Sequence, residues 1–229
     1  MVELKSMPEK APLYPNPPIK YEDAELLASM FTLKKEIAEK LIPEPLKAGP
    51  ANLGLIVIAY YPKTSIGPYH ESFLWIQATH ENQMGFYCPY IYVTTDASLA
   101  AGREIWGFPK KIAEISINKE NNKITGLVKR KDVELIKIEA NIIGEGTLLE
   151  IPKRVYTLKQ MIRGDGTDYD IKYIVATDLE WTVKEAKTCT GTLEFKSSPE
   201  DPLEELKPIS VIGTFFIKMD FTLPYGKII

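Results

Sequence analysis

The stretch Gly102-Arg103-Glu104-Ile105-Trp106-Gly107-Phe108-Pro109-Lys110-Lys111 sets two amines directly behind a run of apolar and aromatic residues. A lysine amine attacks a carbonyl carbon only when neutral, and an unperturbed pKa of ~10.4 leaves about one in 2,500 neutral at pH 7. Bringing that value near 7 means disfavouring the ammonium by roughly 4–5 kcal/mol, which burial among apolar groups or a nearby cation supplies. Lys110 has both beside it: Ile105, Trp106 and Phe108 offer apolar cover, and Lys111 a second positive charge. Strand alternation points Lys111 to the opposite face, so desolvation is the stronger cause. The expected chemistry is Schiff-base formation between Lys110 and a carbonyl compound.

A carboxylate able to serve that amine is Glu71. On a strand it shares a face with Phe73 and Trp75. An apolar face raises a carboxyl pKa, so Glu71 is expected to position substrate or move protons during imine formation and hydrolysis. Phe108 and Tyr92 are candidates for lining the pocket. Arg103 and Glu104, at the end of the segment leading to Lys110, are expected to support it structurally.

Other motifs are set aside on physical grounds. His70-Glu71 and His80-Glu81 suggest a metal site, but on one strand the imidazoles lie roughly 33 Å apart at ~3.3 Å per residue. No metal is expected. Arg163-Gly164-Asp165-Gly166 reads as a turn, and Lys129-Arg130-Lys131 as the solvated end of a strand. Cys88 and Cys189 have no ligand spacing and are expected as free, buried thiols.

The chain has 229 residues, 45% of them hydrophobic and 26% charged, with 28 basic and 31 acidic side chains giving a net charge of −3. That suits one generous domain over residues 1–229 with a sizeable dry core. Neither nucleic acid nor an anionic membrane is indicated as a partner. Residues 1–10 alternate charged and apolar side chains, without the apolar run of a secretory signal, so a cytoplasmic location is expected. The apolar run Leu53–Tyr61 falls far short of the ~20 residues that span a bilayer.

The elements that must position these groups are mostly strands. Residues 8–18 are proline-rich and should run extended. Residues 24–31 suit either a strand or a helix. Thr32, followed by Leu33, Ile37 and Leu41 among Lys and Glu, gives a short amphipathic helix that Pro43 and Pro45 stop. Runs rich in β-branched and aromatic residues follow at 53–61, 72–79, 86–94, 111–118, 123–129, 133–143, 171–182, 184–195 and 209–223. Glu120-Asn121-Asn122 suits a hairpin turn. A helix over 97–105, capped by Thr94 or Thr95 with Asp96 in its first turn, ends at Gly107 as C′ residue. Pro109 then biases Phe108 toward an extended conformation, so the chain enters a strand at Lys110. The absence of βα alternation implies an antiparallel sheet, and closing it into a barrel removes exposed edges.

The Gly-Arg-Glu and Phe-Pro-Lys-Lys of this stretch resemble the Gly-Arg-Glu and Tyr-Pro-Lys-Lys segment of the acetoacetate decarboxylase family, in which the first lysine of the pair forms the imine. That enzyme is also the standard example of a lysine activated by desolvation or a neighbouring cation. Ile42-Pro43-Glu44-Pro45-Leu46 is similar to the family's Val-Pro-Glu-Pro-Leu, and Gly67-Pro68-Tyr69-His70-Glu71-Ser72 to its Gly-x-Tyr-x-Glu-Ser; residues 185–229 also follow its pattern. The resemblance covers almost the whole chain. It implies a mainly β fold, an antiparallel, cone-shaped closed barrel with flanking helices, assembled as a homo-oligomer and needing no metal or organic cofactor. The implied activity is that of a Schiff-base lyase releasing CO₂ from acetoacetate or a related short β-keto acid, with Lys110 and Glu71 catalytic. Two positions depart from the family: its active-site arginine falls at Ala24 and its other pocket glutamate at Ile56. Three readings therefore stand: decarboxylation, aldol condensation and dehydration through the same imine, and a barrel that binds a small apolar ligand without chemistry.

Overall fold

Leu-Gly-Leu-Ile-Val-Ile-Ala-Tyr-Tyr, residues Leu53–Tyr61, is apolar at nearly every position, and in the computed structural model it is a strand buried on both faces. A run without polar alternation is what a doubly covered strand requires. The structure describes residues 4–147 and 150–229; residues 1–3, part of the charged opening noted above, lie outside them. The strands before the site helix are β1 (Ile19–Thr32), β2 (Lys47–Ala48), β3 (Leu53–Tyr61), β4 (Lys63–Thr64), β5 (Tyr69–His80) and β6 (Gln83–Val93). After it come β7 (Lys110–Ile112), β8 (Glu114–Glu120), β9 (Lys123–Arg130), β10 (Val133–Glu145) and β11 (Arg154–Ile162). The chain ends with β12 (Tyr169–Asp178), β13 (Glu180–Phe195), β14 (Ser210–Leu223) and β15 (Lys227–Ile228).

The segment open to either reading, residues 24–31, lies within strand β1, and the amphipathic pattern after it is helix α1 (Lys35–Leu41). Asn121 takes a positive φ of 55° in the β8–β9 hairpin, a conformation that asparagine tolerates. Among the described residues all the strands join one 15-stranded sheet, in the order β15-β12-β11-β6-β5-β3-β1-β14-β13-β10-β9-β8 with β2, β4 and β7 attached at its sides. The fold is mainly β, as expected. The barrel, however, is not closed by hydrogen bonds: the path ends at β15 and β8, and no ladder joins them. Instead the sheet curls, bringing β8 against β3 and β5. Two pairings are parallel, β6 with β7 and β6 with β11, so the sheet is not purely antiparallel.

Curling produces two apolar layers. One face of β1, β3 and β5, with Leu27, Ile58 and Leu74, packs inside the curl against Ile124, Val128 and Ile138. The other face carries Ala28, Val57, Phe73 and Trp75 toward a second cluster. Each fully buried aliphatic or aromatic side chain adds about 1.5–3 kcal/mol. Cys88 and Cys189 are buried and unpaired with each other. Among the described residues, no helix is long and apolar enough to cross a membrane.

Candidate active site

The site is built where a helix unwinds into a strand. Helix α2 (Asp96–Ala101) continues into a wider turn over Gly102–Trp106, where the Gly107 N–H bonds the carbonyl of Gly102, five residues back. Such widened turns concentrate at functional sites. Gly107 closes it at φ 79°, the left-handed conformation expected of a C′ residue. The start differs from expectation: Thr95 holds the N-cap position, yet its hydroxyl is buried without a partner, and the Thr94 hydroxyl goes to the His70 backbone instead. Asp96 Oδ1 takes the Ala97 N–H at 2.7 Å. The chain then turns through Pro109 into β7, which pairs with β6 so that Lys110 lies level with Ile91.

Lys110 is buried, and its Nζ lies 2.8 Å from Glu71 Oε2 and 3.1 Å from the Ser98 hydroxyl. The stem crosses Gly102 so closely that a Cβ there would sit 2.5 Å from both Cδ and Cε of Lys110. The amine also stands 5.6 Å from the Tyr69 ring centroid and 5.9 Å from that of Phe108. Arg103 Nη1 donates to the Lys110 carbonyl at 3.3 Å, and Glu104 accepts the Tyr14 hydroxyl, so both fasten the segment rather than enter the cavity.

Glu71 is buried as well and is held from its far side by phenols. Tyr61 donates to Oε1 at 3.0 Å, and the Tyr69 hydroxyl lies between Glu71 Oε2 at 3.5 Å and the Tyr21 hydroxyl at 3.0 Å. Burial, reinforced by the Glu71 carboxylate, pushes all three phenols above the usual tyrosine range, so they remain donors. Lys110 and Glu71 both face a cavity of about 330 Å³. Leu26, Ala28, Val57, Phe73, Ile217 and Met219 form much of its wall, and its charged lining residues are Glu71, Lys110, Glu150 and Lys153. A buried primary amine touching a carboxylate and a hydroxyl, facing apolar space, is equipped to form and hydrolyse imines. Among the described residues, no group of three or more His, Cys, Asp or Glu side chains converges as metal ligands would.

A model of the family described as acetoacetate decarboxylase (ADC) matches residues 6–229. The chain belongs to the acetoacetate decarboxylase family. The acetoacetate decarboxylase of Burkholderia multivorans is 25% identical over 98% of this chain and 93% of its own length. Among solved structures, the acetoacetate decarboxylase from Legionella pneumophila superposes with a TM-score of 0.88 at 24% identity, covering 98% of this chain and 92% of that one. The enduracididine biosynthesis enzyme MppR, solved with the condensation product of pyruvate and imidazole 4-carboxaldehyde, superposes at 0.83 with 15% identity over 97% and 95% of the two chains. These two likenesses are of fold.

Within this acetoacetate decarboxylase fold, the remaining residues singled out in the sequence fall on different sides of the sheet. Phe108 lines the cavity. Lys111 and Tyr92 do not: they meet on the other side at Asp201, whose Oδ1 accepts from Lys111 Nζ at 2.7 Å and from Tyr92 at 2.9 Å. Lys111 is thus engaged away from Lys110 and is not the expected second cation beside it; the Lys110 amine contacts Glu71 and Ser98. Ile56 belongs to the layer inside the curl, while its neighbour Val57 lines the cavity; Ala24 is buried in the cavity-side layer. Ser98, Tyr61 and Tyr69 were not singled out. Ser98 carried one signal, four residues before Gly102 and hence on the same helix face. Tyr69 carried another, two residues before Glu71 on a strand.

Asp201 is fully buried and also accepts from Arg130 Nε at 3.2 Å and the Ser198 hydroxyl at 3.2 Å. Asp201→Ala leaves two cations facing a buried gap, and an expected loss of roughly 3 kcal/mol would show in the urea midpoint. Burial alone would push this carboxyl up, but bonds from Lys111 and Tyr92 hold it below the usual carboxylate range. A depressed folded value contributes stability that is present above the unfolded value near 3.9 and lost as pH falls through the folded one. Asp201→Asn should therefore lose less stability than the parent between about pH 5 and 2; parallel curves for the two proteins would show that Asp201 does not carry this linkage.

Proposed function

We propose that this chain is a Schiff-base-forming carbon–carbon lyase that decarboxylates a β-keto acid, with Lys110 as the amine and Glu71 as its proton partner. The observation that carries the reading is the placing of Lys110 Nζ, enclosed at an apolar cavity and 2.8 Å from a carboxylate. The names of the relatives support a keto acid as substrate. Glu71 takes a proton from Nζ, and the freed amine adds to the ketone carbon. Glu71 returns the proton as the carbinolamine loses water, leaving a protonated imine. The bond to the carboxylate then breaks: its electron pair moves toward the iminium nitrogen, CO₂ departs and an enamine remains. Apolar walls favour this step because an anion and a cation become two neutral species. Protonation at carbon and addition of water release the ketone and restore Lys110. The iminium is itself the electron sink, so the sequence of steps needs no metal or organic cofactor. The same reading takes residues 1–229 as one domain of a cytoplasmic homo-oligomer, without nucleic-acid or membrane partners.

Incubation with acetoacetate and borohydride should leave a stable adduct that peptide mass mapping places on Lys110. Label elsewhere, or none while a known lysine enzyme labels in parallel, ends the assignment and favours a ligand-binding barrel without chemistry. Glu71→Gln keeps the size of the side chain but removes the base, and imine formation should slow about 10²-fold. Single-turnover trapping measures it; an unchanged rate would remove Glu71 from the proton path.

A second reading keeps the imine and directs the enamine to an aldehyde, giving condensation and dehydration. It is favoured by the apolar residues Ala24 and Ile56, which stand where the family pattern has an arginine and a second pocket glutamate. Products separate the two: CO₂ release from β-keto acids supports decarboxylation, and a condensed product from pyruvate with added aldehyde supports the aldol route.

A further inference from the structure

The cavity is larger and more one-sided than a four-carbon acid requires. Its volume of about 330 Å³ lies within the range of roughly 300–1,000 Å³ typical of sites that enclose drug-sized ligands. On β1, β3 and β5 the polar lining residues Tyr21, Tyr61 and Glu71 are gathered at one end, while Glu150 and Lys153 reach the cavity from the segment before β11. Glu71 is level with Ala59, and the cavity-lining hydroxyls of Tyr21 and Tyr61 lie on one side of that rung. In the opposite direction β1, β3 and β5 present two successive rungs, Ala28–Val57–Phe73 and then Met30–Leu55–Trp75. All six line the cavity, and none is charged. From Glu71 to Trp75 along β5 this floor extends roughly 13 Å at ~3.3 Å per residue.

We infer that the substrate is a β-keto acid with a straight apolar tail of several carbons, its acid end toward Tyr21 and Tyr61 and its tail over the Ala28 and Met30 rungs. This rests on the reading of Lys110 as the imine-forming amine. Imine formation fixes the keto carbon at Nζ, so the two ends of the substrate must leave it in opposite directions. Along β1, β3 and β5 one direction offers hydroxyls, the other only hydrocarbon and aromatic surface. Burying one methylene is worth ~0.8 kcal/mol, or about fourfold in binding. A tail filling these rungs therefore favours its acid over acetoacetate by a large factor, while acetoacetate would leave most of the apolar floor in contact with water.

Two measurements on the intact protein test this. Binding of straight-chain methyl ketones, the products of decarboxylation, is read by quenching of tryptophan fluorescence, since Trp75 and Trp181 both line the cavity. Lengthening the ketone should lower Kd about fourfold per added methylene until the tail outgrows the floor. CO₂ release and borohydride labelling of Lys110 with the matching β-keto acids should follow the same order. Ala28→Phe, which fills the first rung, should flatten the dependence, with circular dichroism confirming that it folds. A flat or falling ketone series overturns the tail inference, and labelling of Lys110 by acetoacetate in that case leaves the imine reading intact. A steep ketone series without any label on Lys110 supports the tail cavity and removes the imine reading.

Discussion

Lys110→Met is expected to lower β-keto acid turnover by at least about 10⁴-fold, the scale on which loss of a covalent nucleophile registers. Methionine keeps the length and apolar volume of the stem, so the cavity wall survives while both the attacking nitrogen and the electron sink vanish. The substitution also strands Glu71 as a buried carboxylate without its cation, with the Tyr61 and Tyr69 hydroxyls as its remaining partners. A lowered Tm is therefore expected, and the double variant with Glu71→Gln should recover stability but not activity. Lys110→Arg isolates charge from covalency, because guanidinium does not deprotonate in proteins. Substantial turnover by the arginine variant would mean that a positive charge suffices, and the covalent mechanism would fall.

Gly102→Ala should cost at least about 10²-fold, the loss that a 1 Å misplacement of a catalytic group brings, with the fold retained. Gly102 sits in ordinary right-handed helical geometry at φ −62°, which any L-residue adopts. Its backbone therefore does not require glycine. The constraint comes from Lys110, whose Cδ and Cε lie 2.5 Å from where the methyl would be. The stem must shift, and Nζ then leaves both Glu71 and Ser98. Alanine is a better helix former by about 1 kcal/mol, which offsets part of the cost of parting buried Glu71 from its cation, so the melting temperature should fall less than in Lys110→Met while activity is still lost. A variant that keeps its activity would show that the amine reaches its partners by another route.

These two residues also mark what the sequence made legible. Pro109 and Gly107 announced a helix that stops and a strand that begins, and that junction is where Lys110 emerges. Alternation placed Lys111 on the face opposite Lys110, and it lies there, bound to Asp201. What alternation does not provide is the partner: Asp201 is 90 residues away in sequence from Lys111 and sits in a Ser-Pro-Glu-Asp-Pro loop with no periodic signal. Strand β11 escaped for a related reason. Its outer end, residues 160–162, is exposed, and the strand joins the site through a parallel pairing with β6 that no local pattern encodes. Edge avoidance and the family resemblance both point to a closed barrel, which the hydrogen-bonded path does not complete. Here the β8 end is covered by curling over β3 and β5 instead of by a final ladder.

The neighbouring amines on β7 point to opposite sides of a three-residue strand, one to a cavity and one to a buried acid. Each therefore acts as a peg that sets the phase of the other. Adding or deleting a single residue between Gly107 and Lys110 would leave an amine on both sides but exchange their identities, so that the anchoring nitrogen met the aromatic rings and the reactive one was tethered outside. Insertion at this junction is thus punished twice, and the length of the connection is as much a part of the chemistry as the lysine it delivers.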